Sequence, residues 1–330
     1  MGVFAGCERA MGRTLVIRGG AVGDFILTLP VLDALRLAHP SDEIYLLGYP
    51  EIAEIAVGRR YADAVGRVDA VEWAPLFSPG ARLEEKEVRF LRSFDRIVCI
   101  WKDEDAVLCE NLRLASGRPV LHLDPIPPPS ARIHAVDFIA EQCTKAGLRV
   151  TNRRPRIFPA PRDTWWAERF MRVTGAGRGP LLGMHPGSGS PAKNWPVSKF
   201  VSLAEYWIRS RDGRVLVTMG PAEEGLAGAF DGARGREDHI FVLRNEAMPK
   251  VAACLERCDA FVGNDSGITH MAAAVGTRTL ALFGPTDPAV WGPRGERVSV
   301  IVPESGREMA GIRLRSVISS LEELVGSRTP

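Results

Sequence analysis

The chain contains 330 residues, of which 45% are apolar and 25% are charged. These proportions are typical of a folded globular protein and require no disordered region. The formal net charge of +2 argues against a nucleic-acid-binding protein, which normally presents a basic face. The length exceeds that of most single-core domains, so two domains of about 150 residues each are expected.

The cysteines and the apolar runs predict the cellular compartment. Six cysteines are scattered without C-x-x-C spacing, which favours buried thiols in a reducing compartment over a disulfide framework or a zinc site. No apolar stretch approaches the roughly 20 residues of a membrane span, and the first ten residues lack the apolar core of a signal peptide. The sequence therefore predicts a cytoplasmic protein. The cysteines are Cys7, Cys99, Cys109, Cys143, Cys254 and Cys258.

Short apolar runs alternate with amphipathic segments through the first half of the chain. Strands are predicted at 14–18, 43–48, 96–101 and 120–123, and helices at 24–38, 83–93, 105–116 and 133–147. Uninterrupted apolar strands separated by helices indicate a parallel sheet that is covered on both faces.

The same alternation restarts after a linker, predicted at 149–161 because this segment is rich in Arg and Pro and has no helical period. We therefore expect an N-terminal domain over 1–158 and a C-terminal domain over 159–330, both Rossmann-like. Ligands of such sheets bind at the carboxyl ends of the strands, so a cleft between the domains is the expected site. Strands are predicted at 181–185, 214–220, 240–244, 260–263 and 279–284, and helices at 163–174, 197–211, 249–257 and 267–275.

A glycine-rich turn, R-G-G-A-V-G-D-F, follows the first strand at residues 18–25. It is not a dinucleotide turn, because the spacing is not G-x-G-x-x-G and no acidic residue stands in the ribose-binding place. Asp24 at its end has two interpretations. It is either a helix cap, worth about 1 kcal/mol, or a carboxylate facing the cleft that acts as a general base toward an alcohol.

Two further loops follow strands of the second half. In H-P-G-S-G-S-P-A-K-N-W-P, residues 185–196, Ser188 offers a hydroxyl and Lys193 a point charge for phosphate. No Walker A pattern is present, so ATP hydrolysis loses support, and a solvated surface loop is the alternative. In M-G-P-A-E-E-G, residues 219–225, Glu223 or Glu224 either accepts hydrogen bonds from a ribose or complements a helix dipole.

The segment 261–284, FVGNDSGITHMAAAVGTRTLALFG, predicts a strand, a helix and a second strand. Asp265, Ser266 and Gly267 stand at the start of this helix, where free N–H groups and the dipole favour an anion. His270 lies four residues after Ser266 and projects from the same face. A phosphorylated ligand is expected, although Asp and Ser are also ordinary helix caps.

Four segments carry a resemblance to one protein family. The loop around Asp24 with T-L-P-V-L-D-A-L-R, the K-N-W-P segment, the G-P-A-E turn and G-N-D-S-G-I-T-H-M-A-A-A-V-G are similar, in order and spacing, to glycosyltransferase family 9. The best-known members of that family are ADP-heptose:lipopolysaccharide heptosyltransferases. The D-[ST]-G-x-x-H block is the most specific part.

The resemblance implies a GT-B fold, in which two Rossmann-like, doubly wound parallel-sheet domains face an interdomain cleft without a metal. It implies that Asp24 is the catalytic base and that Asp265 lies close to the transferred sugar. Glu223 matches a ribose contact, and Glu246 matches the strip beside the adenine. The residues that match donor-phosphate contacts are Ser188, Lys193, Ser266, Gly267 and His270.

The resemblance also implies a reaction and its partners. A heptose would pass from ADP-heptose to a hydroxyl of the lipopolysaccharide inner core, or of a related glycan, with inversion and without a cofactor. The protein would act as a cytoplasmic monomer that contacts the inner membrane face transiently. Basic residues in 57–92 would meet acid groups of the core or form an ordinary charged helix face.

Three alternatives remain open. The enzyme could use another nucleotide sugar or another acceptor, including a protein. It could be an epimerase-like GT-B enzyme, which needs no base against an alcohol, or a nucleotide-sugar-binding protein without activity.

Overall fold

The computed structural model describes residues 12–80, 82–226, 228–231 and 237–326. These residues form a five-stranded sheet followed by a six-stranded sheet, and all strand pairs within the two sheets are parallel. Buried apolar side chains lie against both sheets, as expected for parallel strands with helices on their faces.

The first sheet has the strand order β3-β2-β1-β4-β5 and forms, with its helices, the first lobe. Its predicted strands are present, but β3 was not predicted, because its sequence AVGR is half-exposed and lacks an apolar run. The strands are β1 (Arg13–Arg18), β2 (Glu43–Gly48), β3 (Ala64–Arg67), β4 (Arg96–Ile100) and β5 (Val120–Leu123). The helices are α1 (Val22–Ala38), α2 (Pro50–Ala53), α3 (Glu85–Arg92), α4 (Val107–Ser116) and α5 (Ala135–Lys145).

The second sheet has the order β11-β10-β9-β6-β7-β8 and forms the second lobe. The edge strand β11 and the amphipathic helix α12 were not predicted. The strands are β6 (Leu181–His185), β7 (Arg214–Met219), β8 (Ile240–Arg244), β9 (Ala260–Asn264), β10 (Thr279–Leu282) and β11 (Val298–Ile301). The helices are α6 (Pro161–Thr174), α7 (Val197–Arg211), α8 (Gly228–Asp231), α9 (Met248–Glu256), α10 (Gly267–Ala274), α11 (Pro288–Trp291) and α12 (Leu314–Val325).

Each sheet reverses its winding direction once, between β1 and β4 in the first lobe and between β6 and β9 in the second. In doubly wound sheets the connections after these central strands diverge to opposite faces and leave a crevice at their carboxyl ends. The loops that were singled out after β1, β6 and β9 all leave such strands. The topology therefore directs three of the four candidate segments to the switch points.

The two lobes contact each other through the starts of α1 and α10. A Cβ atom on Gly267 would lie 2.5 Å from Cβ of Val22 and 2.9 Å from the backbone nitrogen of Gly23. One cluster of buried side chains runs through both lobes, and it includes Leu29 of α1 and Met271 of α10. The glycines thus let the two helices approach more closely than any larger residue would allow.

Polar contacts join the lobes beside this helix pair. His134 Nε2 donates to the carbonyl oxygen of Gly292 at 2.9 Å, and Asp137 forms an ion pair with Arg294. The boundary predicted between residues 158 and 159 falls between α5 and α6, and its position stays a prediction.

The cysteines of the described chain are all buried and free. Burial raises the pKa of Cys143 and Cys254 to about 12, so these thiols are poor nucleophiles at neutral pH. Cys7 lies outside the described residues. No helix among those described is long and apolar enough to cross a membrane.

We predict that Gly267→Ala destabilises the protein by about 1 to 3 kcal/mol, because the added methyl group overlaps Val22 and the backbone of α1. Thermal unfolding followed by circular dichroism measures the loss. Gly225→Ala is the matched control, since a Cβ atom there meets nothing within 4 Å. Equal midpoints for the two variants would show that the α1–α10 contact does not constrain the fold.

Candidate active site in the cleft between the lobes

The turn after β1 presents Asp24 to the cleft. Gly20 has φ of +99°, a left-handed conformation that favours glycine. Asp24 is half-buried at the start of α1, and its Oδ2 accepts a hydrogen bond from the backbone N–H of Ala21 at 3.3 Å. The cap interpretation is therefore realised in the structure. It leaves the other lone pairs of the carboxylate available, so it does not exclude a role as a base.

The loop 185–196 is fixed to the end of β9 by Asn264, which is fully buried. The Asn264 side chain donates to the Pro186 carbonyl at 2.8 Å and accepts from the backbone N–H of Trp195 at 3.0 Å. Within the loop, the Ser188 hydroxyl lies 2.7 Å from the carbonyl oxygen of Ser190 and 2.7 Å from Oδ1 of Asn194. These contacts give the loop a defined shape, and its residues Gly189, Pro191 and Ala192 are exposed. The phosphate role of the loop stays a prediction.

Lys193 and Asp265 meet directly. Lys193 Nζ lies 2.7 Å from Oδ2 of Asp265, and the Thr286 hydroxyl donates to the same carboxylate oxygen. The Asp265 side chain is almost fully buried, whereas the Lys193 side chain is 29% exposed. The ammonium group therefore stays accessible from the cleft while its position is fixed by a buried acid.

Ser266 caps the N-terminus of α10, and its hydroxyl accepts a hydrogen bond from the backbone N–H of Thr269 at 3.3 Å. Thr269 in turn donates to the Asn264 carbonyl at 2.5 Å. The first turn of the helix is thus held rigidly against the end of β9. Its first N–H groups have no partner within the helix and, with the dipole, favour an anion at this end.

His270 is buried between the lobes, and its Cδ2 would lie 3.2 Å from a Cβ atom on Gly23. Burial lowers the pKa of His270 to about 4, and the charges of His134 and Lys193 also lower it. The carboxylates of Asp265 and Asp24 act in the opposite direction and only partly offset burial. The imidazole is therefore neutral at pH 7.

Glu223 is buried at the junction of two loops. Its Oε2 accepts from the backbone N–H of Gly220 at 2.8 Å, and its side chain lies so close to Gly187 that any Cβ there would overlap it. Glu224 instead lines a cavity of about 280 Å³ together with Arg244 and Asn245. The ribose role predicted for Glu223 stays a prediction, and its geometric role is to join the loops after β6 and β7.

Glu246 follows β8 and forms an ion pair with Lys250 at 2.8 Å. The Lys250 ammonium lies over the ring of Trp166, 4.5 Å from its centroid. The Glu246 carboxylate is thus engaged on the surface formed by α9 and α6. Its predicted position beside the adenine stays a prediction.

The structure brings together most of the predicted site residues. Asp24 lies on the first lobe, and its charge acts on His270 of the second. Four polar residues around the site were not selected from the sequence. For one of them, Asn264, the sequence does contain a signal, because it directly precedes Asp265. The four residues are Arg18, His134, Asn264 and Thr286. Among the described residues, no group of three or more His, Cys, Asp or Glu side chains has the arrangement of a metal site.

Two doubly wound lobes that face a cleft, with a helix start on one side and a carboxylate on the other, have the architecture of the GT-B class. Solved structures of this class superpose over nearly the whole chain. A glycosyltransferase family 9 protein from Veillonella parvula has a TM-score of 0.77 at 20% identity, covering 95% of this chain and 97% of its own. The E. coli ADP-heptose lipopolysaccharide heptosyltransferase II has a TM-score of 0.74 at 19% identity, covering 95% and 98%.

Sequence comparison narrows the class to a family. The profile of glycosyltransferase family 9 (heptosyltransferase) matches residues 160–311. Lipooligosaccharide heptosyltransferase 2 of Haemophilus influenzae is 34% identical over 315 residues, which cover 87% of each chain. The chain therefore belongs to glycosyltransferase family 9, and the predicted family, GT-B fold and glycosyltransferase class are confirmed.

We predict that the His270 imidazole stays neutral down to about pH 4, whereas an ordinary histidine titrates near 6.5. Because the folded-state pKa is the lower one, the unfolded chain binds the proton first. The contribution of His270 to stability is present above about pH 6.5 and is lost as the pH falls toward 4. Side-chain ¹H–¹⁵N NMR, with His270→Gln for assignment, measures the titration. A midpoint near 6.5 would contradict the burial argument.

Proposed function

We propose that this enzyme transfers a heptose from ADP-heptose to a hydroxyl of a lipopolysaccharide inner-core acceptor, with inversion at the anomeric carbon and without a metal ion. The names of its relatives support the donor and acceptor classes. The observation that carries the proposal is that Asp24 faces the Lys193 and α10 site across the contact between the lobes. We further propose a cytoplasmic monomer that contacts the inner membrane face transiently.

The donor is proposed to bind the second lobe with its diphosphate between Lys193 and the start of α10 at Ser266 and Gly267. As the bond between the sugar and the β-phosphate breaks, the departing ADP gains charge on its β-phosphate. Fixed dipoles and a fixed ammonium group stabilise that charge without reorganising. Because Lys193 is paired with Asp265, the phosphate and the carboxylate share one cation, and Asp265 stays next to the departing sugar.

The acceptor is proposed to bind the first lobe, where Asp24 removes the proton of the attacking hydroxyl. Its backbone hydrogen bond from Ala21 holds the carboxylate in position. The neutral His270 lies between Asp24 and the phosphate site and can donate or accept a hydrogen bond without adding charge. The hydroxyl is proposed to attack the face of the sugar opposite the leaving phosphate, and a single displacement of this kind inverts the anomeric centre.

The alternatives differ in their need for Asp24. An epimerase-like enzyme needs no base against an acceptor alcohol, and a binding protein needs no base at all. The loss of transfer upon substitution of Asp24, with donor binding kept, separates both from a transferase. A transferase that uses another sugar or another acceptor, such as a protein, would lose transfer in the same way and is distinguished by substrate exchange.

We predict that Asp24→Asn lowers kcat for heptose transfer by about 10²- to 10⁴-fold, because the general base is lost. Affinity for ADP should change by less than about threefold, since Asp24 lies on the acceptor lobe. Product formation by mass spectrometry and ADP calorimetry measure the two quantities. Asp33→Asn, on the same helix and paired with Arg60, is the matched control. Full activity of Asp24→Asn would refute the assignment of the base.

Lys193→Met is predicted to weaken ADP binding by about tenfold to a hundredfold, because a charge-assisted hydrogen bond to phosphate is removed. Calorimetry with ADP, UDP and GDP in EDTA measures both the loss and the base preference. Lys145→Met, at the exposed end of α5, serves as the control. A strict requirement for Mg²⁺, or unchanged ADP affinity in Lys193→Met, would contradict the metal-free donor site.

A further inference from the structure

A second cavity opens beside Asp24 on the acceptor side of the cleft. Its volume is about 180 Å³, and its walls come from both lobes. On the first lobe, Trp101 follows β4 and lies against the backbone of Gly19. On the second lobe, Trp291 of α11 lines the same cavity. The volume is below the roughly 300 Å³ of a pocket for a whole small molecule. The cavity is therefore suited to one unit of a larger acceptor.

Arg18, the last residue of β1, lines this cavity with only 7% of its surface exposed. Its Nε is buried without a hydrogen-bond partner, and Arg18 takes part in no side-chain ion pair among the residues that the structure describes. Burial lowers the pKa of Arg18 to about 10, and the charge of Asp24 partly restores it. The guanidinium group is thus charged at pH 7 and only weakly compensated.

The side chains of Arg18 and Asp24 both lie close to Gly20. A Cβ atom on Gly20 would be 3.3 Å from Nη1 of Arg18 and 3.4 Å from Oδ2 of Asp24. The two charged groups are therefore no more than about 7 Å apart, yet they do not form an ion pair. The two groups are therefore close enough for one ligand in the cavity to contact both at once.

The other nearly buried arginine side chain of this lobe has an acid partner. Arg59, whose side chain is 3% exposed, forms an ion pair with Asp163. A buried charge without a partner is costly, and apolar side chains of similar volume generally replace buried ions without loss of stability. Arg18 is thus poorly explained as a contribution to the fold.

We propose that Arg18 binds an oxyanion of the acceptor, a carboxylate or a phosphate group, next to the hydroxyl that Asp24 deprotonates. The guanidinium fork matches either oxyanion with two parallel hydrogen bonds. Such a contact fixes the distance and rotation of the neighbouring hydroxyl relative to Asp24. Arg18 is then a specificity-determining residue, and this role rests on the proposed function through the role of Asp24 as base.

Anion binding is tested by the ¹H–¹⁵N resonance of the Arg18 Nε–H group, assigned by its loss in Arg18→Lys. Inorganic phosphate or sodium acetate, added to the ADP-saturated protein, is expected to shift this resonance saturably. Glycerol, which is uncharged, is expected to leave it unchanged. The absence of a saturable shift with both anions would overturn the proposal.

The source of the oxyanion is tested by calorimetry with a de-acylated inner-core oligosaccharide in three forms: untreated, methyl-esterified at its carboxylates, or dephosphorylated. One modified form is expected to bind the wild type about tenfold to a hundredfold more weakly, which identifies the oxyanion. In Arg18→Gln the three forms should bind equally. Arg13→Gln, at the other end of β1, should keep the discrimination. Equal binding of all forms by the wild type would overturn the proposal.

Two further outcomes separate the causes of failure. If the oligosaccharide does not bind but phosphate or acetate still shifts the Arg18 resonance, the proposed acceptor is wrong and the anion subsite stands. Arg18→Met is expected to melt no lower than the wild type, because an unpartnered charge is removed. A clearly lower midpoint would give Arg18 a structural role and overturn the proposal.

Discussion

The close packing of α1 against α10 is the constraint on which the rest of the site depends. Gly267 leaves no space for a side chain at this contact, and a Cβ atom on Gly23 would be tight against His270, so the starts of two helices from different lobes lie against each other. Each helix follows a central strand of its sheet, β1 or β9, where the winding reverses. One helix carries Asp24 and the other begins at the proposed phosphate site. A steric constraint between glycines therefore sets the distance between the proposed base and the proposed phosphate site.

The charges around this contact are arranged differently in the two lobes. On the side proposed for the donor, Lys193 is held by the buried Asp265, so the position of the cation is fixed by the protein itself. On the side proposed for the acceptor, Arg18 is buried and has no such partner among the residues that the structure describes. Burial keeps His270 neutral at pH 7, so its imidazole adds no charge to the site. This arrangement, with one cation on each side and a neutral group near them, is compatible with the two anionic substrates that we propose.

Local patterns predicted the elements whose side chains are buried on both faces. Strands such as β6 and β9 are continuous apolar runs, and the loops that follow them were recognised by their glycines and short polar residues. The half-exposed edge strand β3 (AVGR) lacks such a run and was missed. The edge strand β11 (VSVI) was also missed, although three of its four residues are apolar. The contacts of Asn264 and the ion pair between Lys193 and Asp265 join residues that are far apart in the chain. The isolation of Arg18 likewise depends on which distant residues the fold places around it. No local pattern contains that information, and Arg18 resembles any other strand end.

The most direct measurement of the central claim is a crystal structure of the complex with ADP, grown without divalent metal. The account predicts that the β-phosphate lies within hydrogen-bond distance of Lys193 Nζ and of the N–H groups at the start of α10, across the cleft from Asp24. A β-phosphate bound at the glycine turn after β1, or bound only through a metal ion, would contradict it.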